Sequence, residues 1–174
     1  MTLASSAITA AVALLGVLLG GYLSLRNQDR LWARDHARQW RDIRLSAYRE
    51  FLAAYRHYLA FALEPTANIT AAPHPRHPGE LMPFFDEAGR PYKERLEGGF
   101  ATVRLVSELP ETVPAAIAVV IAVRQIAAAR ATIAAVDISS AALEKLTAAE
   151  LEFFGAIRRE LGLAPLPENA DVGG

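Results

Sequence analysis

The residues best suited to metal chemistry are two histidines in a proline-rich stretch, His74 and His77. Imidazole nitrogens bind borderline metals such as zinc, so the pair supplies two ligands. A stable site needs three or four, and the chain has no cysteine to complete it. A metal-dependent activity at this pair is therefore the weakest of the alternatives, and we predict no metal ligand and no cofactor.

Carboxylates and helical histidines offer a second chemistry. Helix bundles hold di-iron sites through Glu-x-x-His pairs, and no Glu here is followed three residues later by His. His36 and His57 are therefore interpreted as structural residues. General acid–base catalysis needs carboxylates in a cleft. Helical periodicity instead places four carboxylates on the outer faces of the helices: Glu94, Glu97, Glu150 and Glu152. No nucleophile elbow or phosphate-binding loop is present, and we predict no enzymatic activity.

The arginines near the N-terminus form the strongest charge pattern. Six of them share one arc of a helix: Arg26, Arg30, Arg34, Arg38, Arg41 and Arg44. An arginine close to an anionic membrane surface gains about 1 kcal/mol, and the effect fades within a Debye length. We assign Arg26, Arg30 and Arg34 to anionic lipid. The outer arginines could meet an acidic partner or nucleic acid, although interleaved aspartates and a net charge of −1 favour no specific nucleic-acid binding.

The segment before these arginines carries no charge from Met1 to Leu25. As a helix, Leu3–Leu25 would span roughly 34 Å, slightly more than a bilayer's hydrocarbon core. A signal peptide would need a basic start, a shorter apolar run and a small-residue cleavage site, none of which is evident. We therefore predict a transmembrane anchor over residues 1–25. An exported helical protein with a cleaved signal is the alternative.

The flanks of the predicted anchor indicate its orientation and its neighbours. Because all the nearby arginines follow it, the positive-inside rule places the N-terminus outside and the C-terminal domain in the cytoplasm. Gly16, Gly20 and Ser24 lie four residues apart, and small residues at this spacing let two membrane helices approach closely. The spacing allows a homodimer, although glycine is common in membrane helices anyway.

The elements that must position these residues are predicted to be helices. We expect an all-α fold in which the transmembrane helix continues into an up-down antiparallel four-helix bundle. Residues 26–44 would form a basic juxtamembrane stalk and residues 45–163 the bundle. Residues 64–90 would form a long loop without strands, with a short helical turn at most, and residues 164–174 a disordered tail.

Two apolar patterns predict the core of the bundle. The first helix carries a narrow stripe: Trp40, Ile43, Ala47, Phe51, Ala54, Tyr58 and Phe61. The third helix carries large and small residues in a heptad seam like that of coiled coils: Val119, Ala122, Ile126, Ala129, Ile133 and Val136. Arg124 and Arg130 should keep this apolar segment out of a membrane, since each costs about 3 kcal/mol near a helix centre.

Residues 40–52 also carry a resemblance. The segment Arg44-x-x-Ala47-Tyr48-x-x-Phe51-Leu52, behind an anchor and an arginine-rich helix, resembles a group of small, uncharacterised single-pass proteins of high-GC Gram-positive bacteria. The resemblance covers about the first third of the chain and implies no established activity and no functional residue. The sequence therefore predicts a single-pass protein of the cell membrane. Its cytoplasmic helical domain would act as an interaction or scaffold module for a protein partner.

Overall fold

The computed structural model is mostly helical, with four helices and one two-stranded sheet among the described residues. It describes the backbone of residues 2–75 and 77–165, and the side chains of residues 32, 34–75, 80–135 and 137–165. The elements are α1 (Thr2–Leu63), β1 (Ile69–His74), β2 (His77–Phe85), α2 (Arg90–Val106), α3 (Thr112–Arg130) and α4 (Ser140–Glu160). The chain divides into two compact units, Met1–Asp42 and Ile43–Gly174.

The ends of the helices follow local signals in the sequence. α1 ends at Leu63 because Pro65 disfavours a helical conformation in the residue before it. α4 begins after Ser139, whose hydroxyl caps the helix by accepting a hydrogen bond from the backbone N–H of Ala142. It closes in a Schellman motif, in which Gly162 adopts a φ of 66° and its neighbours' N–H groups reach back to α4 carbonyls.

The prediction of a strandless loop over residues 64–90 is wrong for residues 69–74 and 77–85, which form the two strands of a hairpin. β1 and β2 pair antiparallel, with Ile69 opposite Phe85 and Pro73 opposite Leu81. The many prolines argue against a central strand, but each strand here is an edge strand, where a missing N–H is tolerated. The ring of Phe85 lies 5.0 Å from that of Tyr58 on α1, so tertiary packing stabilises strands that local propensity does not favour.

Packing of α1 in the second unit confirms most of the predicted stripe. The buried side chains are Ala47, Phe51, Ala54, Tyr58 and Phe61, joined on a second face by Tyr48 and Tyr55. The prediction is wrong for Trp40 and Ile43, which are 40% and 41% exposed. Among the described side chains of α1, Arg44 is the first buried one, so the predicted apolar stripe begins before the described burial does.

The third helix is the most buried of the second unit, as expected. Val119, Ala122 and Ile126 are all buried in α3. The seam stops earlier than predicted, because α3 ends at Arg130 and leaves Ile133 38% exposed beyond it. Val136 lies outside the described side chains. The guanidinium of Arg130 donates hydrogen bonds to the carbonyls of Ala62 and Ile133, which holds this end of α3 against the end of α1.

Among the residues whose side chains the structure describes, one helix, α3, is long and apolar enough to cross a membrane by length and composition. Just over half of it (56%) is buried inside the protein. A core helix passes the same test, and α3 packs against α4 and both strands. Its composition is therefore only weak evidence of membrane association.

Two adjacent glycines on α2 have opposite surroundings, which gives a matched pair of stability predictions. A Cβ on Gly98 would meet no atom within 4 Å, whereas one on Gly99 would lie 3.2 Å from the Cα of Phe51. Gly98→Ala should raise the free energy of unfolding by about 0.5–1 kcal/mol through helix propensity. Gly99→Ala should lower it by about 1 kcal/mol, because a backbone atom of α1 must move away.

Chemical denaturation of the two variants side by side measures this difference. Since both substitutions change helix propensity alike, their difference isolates the contact of α2 with α1. Equal stabilities for the two variants would contradict the close approach of the helices at Gly99.

Candidate interaction surfaces

The arginines of the first unit that the structure describes are exposed to solvent. Arg34 is exposed, and the side chain of Arg38 is 80% exposed, with only a long 3.9 Å contact to Asp35. Ion pairs this exposed contribute little, so the charges stay available to a partner. Arg26, Arg30, Gly16, Gly20 and Ser24 have helical backbone in α1, but their side chains lie outside the described set.

An aromatic ladder on the same segment was not anticipated. The rings of Trp32 and His36 stack at 5.2 Å, and the indole N–H of Trp40 donates to Nε2 of His36 at 2.9 Å. Trp32 is 71% exposed. The i, i+4 spacing of the three residues is the signal that could have revealed the ladder. Exposed tryptophans are typical of membrane and protein interfaces, where an amphipathic ring meets both apolar and polar surroundings.

Arg44 does not belong with the other arginines, because it is buried at the start of the second unit. Its Nε donates to the carbonyl of Val106 at 3.0 Å and lies 3.7 Å from a carboxylate oxygen of Glu160. A terminal nitrogen pairs with Glu108. The prediction of a solvent-facing stalk through Arg44 is therefore wrong at this residue, since its charge is neutralised inside the second unit.

The carboxylate of Glu160 is the centre of this buried polar cluster. Its side chain is 1% exposed. It accepts hydrogen bonds from the hydroxyl of Thr112 at 2.6 Å and from the backbone N–H of Glu108 at 2.8 Å. α4 thereby holds the connection between α2 and α3. Among the described residues, every buried side-chain nitrogen and oxygen has a partner, so the cluster stabilises the fold and leaves no group free for a substrate.

Tyr48 completes the cluster from α1. Its hydroxyl lies 3.2 Å from that of Ser107, which donates its own proton to the carbonyl of Val103. Tyr48 is therefore the donor of the pair. Burial raises the pKa of its phenol, and the neighbouring Glu160 raises it further. The side chain stays neutral and acts as a hydrogen-bond donor over the physiological range.

His74 and His77 are partners in the backbone register of β1 and β2. His74 borders a cavity of about 370 Å³ with Glu80 and Arg124. The described residues contain no group of three or more histidine, cysteine or acidic side chains close enough to hold a metal. The side chain of His77 lies outside the described set.

The acids predicted to lie on outer faces do so in three of four cases. Glu94, Glu97 and Glu152 are exposed, and Glu97 pairs with Arg124 at 3.3 Å. The side chain of Glu150 is only 23% exposed and pairs with Arg56 of α1 at 2.6 Å. The pKa of Arg56 is raised chiefly by this hydrogen bond. The pair joins α1 to α4, and the Glu150 carboxylate is engaged in it rather than free to act as a general acid or base.

An apolar groove runs between α1 and α4 on the second unit, with a volume of about 380 Å³. Its lining comes from two helices and the chain after α4: Leu45, Tyr48, Arg49, Leu52, Leu151, Phe154, Ile157, Arg158, Leu161 and Leu163. Leu45, Leu151 and Leu163 are each at least 40% exposed. Leucines grouped in this way on a surface are unusual without an occupant or a partner. The lining includes two arginines and no acid.

A second cavity of about 500 Å³ lies between α1 and α2 and is more polar. Glu50, His57, Arg95 and Thr102 surround the open face of Gly98. Glu50 already accepts a hydrogen bond from Ser46, and Thr102 donates to the carbonyl of Gly98. The cavity is open to water on one side.

The second unit thus carries one apolar groove and a satisfied polar cluster, and the first carries exposed arginines beside an aromatic ladder. Comparison with known proteins finds no relative of this chain. No family model, no curated protein and no solved structure matches the chain, and the resemblance of residues 40–52 to small single-pass proteins stays a hypothesis.

Proposed function

We propose that the chain is a single-pass membrane protein whose C-terminal helical domain binds a protein partner at the cytoplasmic face. The observation that carries the proposal is the uncharged run from Met1 to Leu25, which is followed at once by arginines. The helical backbone of α1 from Thr2 supports it, because a helix satisfies every backbone hydrogen bond in lipid. In this proposal α1 joins the anchor to an up-down bundle.

The exposed side chains of the first unit support a membrane-proximal position for this segment. Trp32 and Arg34 lie within nine residues of the end of the predicted anchor and are exposed. An interfacial tryptophan followed by arginines is typical of the cytoplasmic end of a membrane helix. Arg26, Arg30 and Arg34 would hold anionic headgroups, and Gly16, Gly20 and Ser24 would bring two copies together.

Interaction is favoured over catalysis by what the second unit offers. Its buried carboxylate and arginine neutralise each other, and its described residues hold no metal-ligating group of three. What the surface does present is a set of exposed apolar side chains beside two arginines, Arg49 and Arg158, that form no ion pair with a described carboxylate. Surfaces of this composition bind partners rather than transform substrates.

Reporter fusions after Gly174 test the orientation. We expect a fluorescent protein fused there to be bright and an exported phosphatase fused there to be inactive, with the full-length chain in the membrane fraction. Replacing Arg26, Arg30 and Arg34 together with Gln should raise the inverted fraction, because the charge bias is removed.

A matched triple replacement of Arg90, Arg95 and Arg104 with Gln, far from the predicted anchor, should leave the orientation unchanged. An active phosphatase fusion of the unaltered chain would overturn the proposal. So would a mature chain in the medium lacking about the first 25 residues, since that chain would be an exported protein with a cleaved signal.

A further inference from the structure

We propose that the groove between α1 and α4 is a binding site for a medium-chain fatty acid, with Arg49 and Arg158 holding the carboxylate. This inference does not depend on the membrane orientation proposed above. It starts from the chemistry of the lining, which consists of apolar side chains apart from these two arginines and Tyr48. An apolar cavity with a few charged groups at its border is the common form of a small-ligand site.

The size of the groove suits one acyl chain. A volume of about 380 Å³ holds about a dozen groups of the size of a water molecule. Leu45 and Leu52 lie seven residues apart on α1, two turns along the same face, opposite Leu151 and Phe154 on α4. A single flexible chain fills such a shallow slot between two helices more readily than a flat or branched ligand does.

The two arginines that line the groove favour a ligand with a negatively charged group. Arg49 is exposed, and no carboxylate of the described residues forms an ion pair with it. Arg158 uses its Nε to donate to the carbonyl of Ala164 at 2.6 Å, which leaves its terminal nitrogens free of any described carboxylate. Arginine pairs with a carboxylate through two parallel hydrogen bonds. An apolar chain with an anionic head therefore matches the groove better than a neutral or cationic amphiphile.

The experiment uses the full chain in phosphatidylcholine nanodiscs, and exploits its lack of cysteine. Leu151→Cys places a unique thiol in the groove, and its rate of reaction with a charged maleimide reports whether the groove is covered. We expect laurate below its micelle concentration to slow the reaction at least fivefold. Dodecanol and dodecyltrimethylammonium should slow it less than twofold. Ala101→Cys, exposed on α2, is the matched control and should not respond.

A second substitution tests the anion-binding step. Arg49→Gln in the Leu151→Cys background should remove most of the protection by laurate, since Arg49 supplies an unpaired charge and no described hydrogen bond within the fold. Circular dichroism checks that the variant is folded. Arg95→Gln, which changes an exposed arginine of α2 outside the groove lining, should keep the protection intact.

The other occupants give distinct results, and each would overturn the proposal. Equal protection by all three amphiphiles would mean an unspecific apolar surface. A thiol that is slow without laurate and becomes fast after deletion of residues 166–174 would mean that the chain's own acidic C-terminal segment covers the groove. A thiol that reacts more slowly without laurate as the protein concentration rises would mean that a second copy of the chain covers the groove. A thiol that is slow without laurate in nanodiscs and fast in lipid-free amphipol would mean that a bilayer lipid covers it. No change with laurate would also overturn it.

Discussion

Replacing Glu160 with alanine should lower the free energy of unfolding by about 3 kcal/mol, which is the largest single effect we expect in the second unit. The carboxylate is 1% exposed and is the acceptor for the Thr112 hydroxyl and the Glu108 backbone N–H. Alanine removes the acceptor of both hydrogen bonds. It also removes one of the two carboxylates that pair with Arg44. Removing one member of a buried, hydrogen-bonded ion pair costs about 3–5 kcal/mol. We expect the lower end of this range because Arg44 still forms its ion pair with Glu108.

Denaturant unfolding followed by far-ultraviolet circular dichroism measures this loss. Glu108→Ala is the matched control, because it removes the other carboxylate that pairs with Arg44. The side chain of Glu108 is 69% exposed, and an exposed ion pair contributes only about 0–1 kcal/mol. Glu160→Gln keeps one acceptor oxygen, so its loss in the free energy of unfolding should lie between those of the two alanine variants. Equal losses for Glu160→Ala and Glu108→Ala would contradict the burial of the cluster.

Helix ends and the packed part of α1 were predictable because their causes are local. Pro65 and Ser139 act on the backbone within a few residues, and the periodicity of Phe51, Ala54 and Tyr58 survives in the fold. Arg44 was not predictable in the same way. Its place on the arc of arginines is a local property, whereas its partner Glu160 lies on the last helix. Helical periodicity places a residue on a face, but it does not show which helix covers that face.

The hairpin and the groove were missed for related reasons. In the hairpin, prolines obscured the strand pattern, and its stability comes from contacts such as Phe85 with Tyr58. The groove is lined by residues from α1 and α4 that are individually ordinary leucines in amphipathic helices. Only the packing of the two helices brings Leu52 and Leu151 to one surface. The aromatic ladder, by contrast, was within reach of sequence reasoning, because Trp32, His36 and Trp40 are four residues apart on one helix.

Alkaline pH should unfold the second unit steeply above pH 10, because three buried tyrosines must lose protons there. Burial is the largest cause that raises the pKa of Tyr48, Tyr55 and Tyr58 above the value of about 10 of an exposed tyrosine. The folded chain therefore keeps these protons at a pH where the unfolded chain has released them. The stability they contribute is intact below pH 10 and is lost as the pH rises toward the folded-state pKa values.

The expected slope follows from the number of groups. Each tyrosine that is protonated only in the folded state lowers the free energy of unfolding by about 1.4 kcal/mol per pH unit. Three together give about 4 kcal/mol per pH unit, which exhausts a stability of about 5–15 kcal/mol within a few units. The ultraviolet absorbance of phenolate and the helical circular dichroism should therefore change together for these three side chains.

Tyr58→Phe is the cleanest variant for this test. Its pKa is raised by burial without a contribution from a side-chain hydrogen bond, and the residue is 1% exposed. Phenylalanine keeps the ring contacts with Phe85 and removes one ionisable group, so the slope above pH 10 should fall by about a third. Phenolate absorbance that reached about half of its full value near pH 10 while the helices stayed intact would show that water reaches these hydroxyls in the folded chain. The aromatic core described for α1 would then be open to solvent.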